Sequence, residues 1–388
     1  MPNTQYPITA TQQALEALSA PKKTRLHELW ALFRENRLAV IGLVIFVLFL
    51  LTAVSGVILT SGQNPVFDPA MVRLQEKLLP PFTRPHLKAL QPAQVPTLGI
   101  YLFGTDNLGR DVFSRMLQGA WVSLTVGFVA VGISVLVGIF MGGIAGYFGH
   151  ESICLDHILA ILVLSAGAIF LFMGWIGTGA ACMAAGFIYT AVCLFARTRT
   201  GQAQRRGIFR MRAISVDTVI MRMVDIMLCF PSFFLILTVV ALVPASMYNI
   251  MIVIGLTSWM GTARFVRAEF LSLREQDFVT AAKALGVGNF RIIFRHMMPN
   301  AVAPVLVSAT IGIATAILTE AGLSFLGFGV PPPHATWGNI LSDGKGFIFD
   351  APWLTFIPGV AILIVVLCFN LFGEGLRDAM NPKLRERG

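Results

Sequence analysis

The chain has 388 residues, of which 56% are hydrophobic and only 13% charged, with a mean hydropathy of +0.75 and a formal net charge of +9. A water-soluble globular domain carries about 25% charged residues, so this composition excludes one and leaves a membrane protein. There the basic excess fits loops on one side of a bilayer better than nucleic-acid binding, and no nucleic-acid partner is expected.

Spans are read as runs of roughly 20 mostly apolar residues. The first is 38–59. Lys22, Lys23, Arg25, Arg34 and Arg37 precede it and set its start in the cytoplasm. Ala53-Val54-Ser55 has the small residues of a signal-peptidase site, but the apolar run is longer than a signal core and continues past it. An uncleaved anchor is therefore expected. The stretch 61–115 is polar and proline-rich, and its charges nearly cancel, which suits the outside face. The second span, 120–144, is rich in small residues, with Gly138, Gly142 and Gly146 at four-residue spacing for close helix packing.

Two further apolar segments, 158–176 and 180–196, are separated by Gly177-Thr178-Gly179 and read as a hairpin that enters and leaves from one side. Arg197, Arg199, Arg205, Arg206, Arg210 and Arg212 follow and mark the cytoplasmic side. The same run also fits an anionic-lipid site, although a topogenic role between spans fits better. Spans 226–244, 250–270, 302–323 and 353–372 bring the expected total to eight, with both termini cytoplasmic. Pro231 is expected to kink its span. The loop 275–300 then falls in the cytoplasm, 327–352 outside, and the basic tail 377–387 inside.

Ionisable residues gather at span ends. Asp225 is three residues after Arg222 and can pair with it on one helix face. Glu320, near the outer end of its span, either faces a path through the membrane or reaches the headgroups. The five cysteines (Cys154, Cys182, Cys193, Cys229, Cys368) form no CxxC pair and the histidines show no ligand spacing, so neither a metal nor another cofactor is expected. No GxxxxGK[ST], GxSxG or HExxH occurs, so neither an ATP site of its own nor a catalytic centre is expected. Ser342-Asp343-Gly344-Lys345-Gly346 reads as a turn.

The segment 277–300, DFVTAAKALGVGNFRIIFRHMMPN, is polar and basic between two apolar runs. Phe278, Ala281, Ala282 and Leu285 recur at helical spacing as one apolar stripe. Ala281 and Ala282 have so little side chain that another protein's surface can approach the backbone. Gly286 suits a left-handed helix end, and Pro299 a helix boundary or first turn. Spacing alone also fits an ordinary amphipathic loop between membrane helices.

This segment resembles the cytoplasmic coupling loop in the membrane subunits of binding-protein-dependent ABC importers. GTDNLGRDVFSR at 104–115, EAGLSFLGFG at 320–329, Trp337-Gly338-Asn339, Ala351-Pro352-Trp353 and FGEGLRD at 372–378 resemble other parts of the dipeptide, oligopeptide and nickel group, and the N-terminal span fits its C-type subunit. The resemblance implies an all-α polytopic membrane protein, a type I ABC importer transmembrane domain. Residues 1–60 would be the cytoplasmic N-terminus and first membrane helix, 61–115 a periplasmic segment, and 116–380 the transmembrane domain. It implies a coupling loop carried by Asp277, Phe278, Thr280, Ala281, Ala282, Leu285, Gly286 and Pro299, with Glu320 on the translocation path. The implied partners are a second homologous permease subunit, two ABC ATPase subunits, an extracytoplasmic solute-binding protein and the lipid bilayer.

Two positions depart from the family pattern. Thr280 stands where an acid usually precedes the two alanines, which removes one polar docking contact. Residues 150–214 insert a hairpin into a six-span plan; being even in span number, it preserves the downstream orientation. The expected function is uptake of di- or oligopeptides. Nickel or another small solute fits the same architecture. A proton-coupled secondary carrier would need acids or histidines at mid-span.

Overall fold

The computed structural model describes residues 25–62, 65–88, 90–149, 152–154, 183, 187 and 212–380. The helices are α1 (Arg25–Glu35), α2 (Arg37–Thr60), α3 (Val112–Tyr147), α4 (Val216–Cys229), α5 (Ser232–Leu242), α6 (Met247–Arg274), α7 (Asp277–Ala284), α8 (Met298–Phe325), α9 (Trp337–Gly344) and α10 (Trp353–Met380). A helical turn at Asn289–Arg291 and a π-helical stretch at Ile292–Met297 lead into α8. Apart from these helices the described residues hold one short antiparallel ribbon, β1 (Ser152–Cys154) with β2 (Arg212–Ser215), in which Ser152 pairs with Ser215. The two ends of the predicted insertion therefore meet.

Among the described residues five helices are long and apolar enough to cross a membrane: α2, α3, α6, α10 and the 304–325 part of α8. The pair α4–α5, bent by 84° at its break, is apolar enough when taken together to be a broken sixth span or a re-entrant loop. Apart from Met183 and Phe187, the predicted spans 158–176 and 180–196 and the arginines from Arg197 to Arg210 lie outside the described residues. The bend falls at Phe230-Pro231, where Pro231 precedes α5 and cannot continue the α4 hydrogen-bond ladder. α3 starts at Val112, eight residues before the expected 120. Asp111 caps it, accepting from the Phe113 and Ser114 amides at 3.2 Å each.

α3 and α6 form the closest helix pair. A Cβ built on Gly142 would lie 2.4 Å from the Ala263 carbonyl oxygen, on Gly138 2.6 Å from Thr262 Cβ, and on Gly146 2.5 Å from Phe270 Cβ. The glycine ladder read from the sequence is thus what lets the two backbones touch. Around this pair the main core gathers Val126, Ala130, Ile254, Ile317, Leu354 and Phe369 from α3, α6, α8 and α10.

The chain order fixes two ends of the bundle. Segments 61–111 and 326–352 share one end, where Trp353 Nε1 donates to the Thr105 carbonyl at 3.2 Å and Gln118 Oε1 accepts from the Ala335 amide at 2.7 Å. α1, α7 and the C-terminal end of α10 lie at the other.

Candidate functional site

α7 is eight residues long, with Asp277 in its first turn and Lys283 in its last, each the favoured charge for that end of the helix dipole. It ends in a Schellman arrangement. The Gly286 amide donates to Lys283 O at 3.0 Å and the Val287 amide to Ala282 O at 3.1 Å, with Gly286 at φ +73°. A β-branched residue there would be strained.

One face of α7 rests on a pedestal. Val279 and Ala282 are buried in a cluster with Val266, Phe270, Leu273, Ile292 and Met297. Tyr147, at the end of α3, donates from its hydroxyl to Asn289 Oδ1 at 2.8 Å, and Lys283 Nζ sits 5.5 Å above the Tyr147 ring. The Arg274 guanidinium, at the end of α6, donates to the Tyr147 carbonyl at 3.5 Å. The loop is thereby bound to the ends of three membrane helices.

The other face is open. Leu285 is 84% exposed and Phe278 37%, with Ala281 and Thr280 beside them. Phe290 and Phe294 add a tilted ring pair, 4.4 Å between centroids, that is also exposed. The four-residue stripe expected from spacing is therefore split, because Ala282 turns inward while Phe278, Ala281 and Leu285 turn outward. Asp277 is exposed in the first turn, and Pro299 lies in the first turn of α8, where its missing N–H is harmless. Phe290 and Phe294 were not singled out from sequence; their i,i+4 spacing is the signal that marks them.

At the opposite end a charge network ties the loops together. Asp106 Oδ2 accepts from Arg115 Nη1 at 2.5 Å and from Arg110 Nε at 2.7 Å. Asp343 Oδ2 accepts from Arg115 Nη1 at 2.8 Å and Arg110 Nη2 at 3.0 Å, and Arg115 Nη2 donates to Asn339 Oδ1 at 3.3 Å. Asp106 is fully buried and Arg115 nearly so. Asp343 is helical, in the last turn of α9, which corrects the turn expected at 342–346. A capping box made by Thr336 and Asn339 starts that helix.

Glu320, the expected path residue, is fully buried within the chain. Its Oε1 accepts from Ser324 Oγ at 2.6 Å, and Ser324 Oγ lies 3.4 Å from the Thr336 hydroxyl that caps α9. Its Oε2 has no partner among the described residues. Asp225 holds Arg222 at 3.6 Å as expected, but its closer partner is Arg264 of α6, at 2.6 Å. Asp217 is forked by Arg267 in the same helix pair. Among the described residues no group of histidine, cysteine and acid side chains is placed to hold a metal.

A bundle of membrane-spanning helices that presents one short, rigidly seated helix between two spans is the build of a polytopic transport subunit. Residues 203–386 match the family described as binding-protein-dependent transport system inner membrane component, and 24–81 match the N-terminal TM domain of oligopeptide transport permease C. The dipeptide transport system permease protein DppC of Alkalihalophilus pseudofirmus is 35% identical, over 91% of this chain and 88% of its own. DppC of Haemophilus influenzae is 33% identical over 95% and 98%, and the oligopeptide permease OppC of Bacillus subtilis 30% over 98% and 97%. Among solved structures, the MetNI methionine ABC transporter aligns at TM-score 0.42 and 16% identity, over 70% of this chain and 98% of that one. The chain belongs to the family of membrane permease subunits of binding-protein-dependent ABC importers. It is accordingly a multi-pass inner-membrane transport protein that works with ATPase and solute-binding partners.

Proposed function

We propose that this chain is the C-type permease subunit of a di- or oligopeptide importer and that α7 is where an ATPase subunit bears on it. The substrate class rests on the dipeptide and oligopeptide permeases that it resembles over nearly its whole length. In this reading the chain has no ATP site of its own. It pairs with a related permease subunit, and two ATPases serve the pair. Both termini and α7 are cytoplasmic, 61–115 is periplasmic, 116–380 is the transmembrane domain, and 150–214 is an insertion in it. Asp277, Phe278, Thr280, Ala281, Leu285 and Gly286 form or shape the contact, Ala282 seats it, and Pro299 starts the helix that carries its motion. Glu320 serves the path from behind, through Ser324 and the cap of α9.

The observation that carries the coupling reading is the division of α7 into an open face and a face locked to α3, α6 and α8. ATP binding in the partner moves the open face, the locked face moves the spans, and access to the path alternates. No bond chemistry falls to this chain. A cysteine replacing Leu285 should crosslink to the ATPase subunit in the assembled importer, and one replacing the buried Ala282 should not. For substrate, unlabelled dipeptide should compete with labelled dipeptide for uptake, whereas nickel should not; nickel uptake without peptide uptake would replace the peptide reading.

A further inference from the structure

An open groove of about 410 Å³ runs along α4, lined among the described residues by Thr218, Val219, Arg222, Met223, Ile226 and Met227. Val219, Met223 and Ile226 are all exposed there. Thr218 and Arg222 are its polar side chains, and the Thr218 hydroxyl is already engaged with that of Ser215 at 2.7 Å. Arg222 is surplus to the ion pairs around it. Asp225 Oδ1 accepts from Arg264 Nη2 at 2.6 Å, while Arg222 Nη1 stands 3.6 Å from Oδ2. Two guanidiniums thus share one carboxylate, and the Arg222 side chain is 76% exposed. Guanidinium stays charged at any accessible pH, so the groove carries a fixed positive charge that is only partly neutralised.

Depth narrows the ligand. Residues 247–263 of α6 carry no charge, and Arg264, Arg267 and Glu269 follow towards α7. Arg264 therefore marks where the apolar layer meets the headgroups at the α7 end of the bundle, and it holds Asp225 at that depth. α4 stays near it. Asp217 and Asp225 stand about 12 Å apart along α4, yet they reach Arg267 and Arg264, only about 4.5 Å apart along α6. A helix that runs obliquely at this level, with an apolar face and an exposed arginine, has the build of an interfacial helix. The groove matches an amphiphile with one anionic group and a long apolar part. Phosphate suits a guanidinium fork. A zwitterionic headgroup would bring its ammonium against the same two arginines.

We infer that this face of α4 binds an anionic phospholipid of the leaflet at the α7 end, with its phosphate on Arg222 and an acyl chain along Val219, Met223 and Ile226. The inference rests on the chain's place in a bilayer. It stands whether or not the importer carries peptides or α7 meets the ATPase.

The test uses the assembled importer in phosphatidylcholine nanodiscs, with its five native cysteines replaced by serine and a bimane on Ile226→Cys. Phosphatidylglycerol carrying a doxyl group on its acyl chain should quench the bimane at about a fivefold lower mole fraction than doxyl-chain phosphatidylcholine, the preference that one arginine near a membrane surface confers. Aqueous iodide should not quench it. Arg222→Gln should remove most of the preference and Arg222→Lys should keep it. Equal quenching by the two lipids, or an unchanged preference in Arg222→Gln, overturns the proposal. Quenching by iodide in place of lipid would make this face part of an aqueous path, and quenching by none of the three would mean that protein covers it; either result overturns the proposal as well.

Discussion

Arg115 Nη1 donates to Asp343 Oδ2 at 2.8 Å, joining the first turn of α3 to the last turn of α9 across 228 positions. Arg115 also holds Asp106, which has no exposed surface. Removing Arg115 takes the more buried of two guanidinium partners from Asp106 and leaves it Arg110 and the Leu108 and Arg110 amides, so the cost should fall below the roughly 3–5 kcal/mol of a buried charge left with no partner. Arg115→Ala should still lower the thermal unfolding midpoint in detergent below that of Arg110→Ala, since each arginine serves both acids but Arg115 is the more buried and also holds Asn339. Asp343→Asn keeps an acceptor and should fall between them. Equal midpoints for the two arginine variants would show that the network does not hold the loops.

Gly142 and Gly132 lie on the same helix and should answer oppositely to added bulk. A side chain at Gly142 meets the Ala263 backbone, which cannot give way, whereas nothing lies within 4 Å of a Cβ on Gly132. Gly142→Leu should separate α3 from α6 and cost about 1–3 kcal/mol or more. Gly132→Ala should be neutral or stabilising by about 0.5–1 kcal/mol, because Ala restricts the unfolded chain and favours helix. Thermal unfolding of the purified chain reads both.

Deleting 150–214 and joining Gly149 to Ser215 should leave a chain that inserts and binds its ATPases. A Cβ on Gly149 would sit 3.4 Å from Asp217 Cβ, and Ser152 already pairs with Ser215, so the new junction spans almost no distance. Peptide uptake should persist at a measurable level. A deletion chain that inserts normally but neither assembles nor transports would make the insertion part of the transport core.

The shared end of 61–111 and 326–352 gives a topology test. Cysteines replacing Gln91 and Phe349, both exposed, should label with an impermeant reagent in intact spheroplasts, and one replacing Leu285 should label only after lysis. Labelling of Leu285→Cys alone in intact cells would invert the orientation.

Much of this architecture is legible in the chain because a bilayer requires runs of about 20 apolar residues, and those runs mark the five long described helices and the bent α4–α5 pair. Pro231 announces the bend and Gly286 the end of α7 because each acts through its own backbone. What hydropathy misses is decided by distant partners. α3 begins at Val112 because Asp111 caps it and because Asp106 and Asp343 neutralise Arg115, which no local window reveals. Asp343 looks like part of a glycine-rich turn until the Thr336–Asn339 capping box starts a helix around it. Spacing puts Ala281 and Ala282 on one stripe, but the pedestal that separates them comes from Tyr147, far away in sequence, and from Val266 and Phe270, on the preceding helix folded back against α7.

The central claim is that the open face of α7 is what the ATPase subunit grips, and Ala281 is its smallest exposed position. Ala281→Arg adds bulk and charge on that face without touching the pedestal, so the variant should insert and fold as before. Tagged wild-type chain should co-purify its ATPase subunits, and the Ala281→Arg chain should lose them together with substrate uptake. Undiminished co-purification and uptake by a normally inserted Ala281→Arg chain would contradict the account.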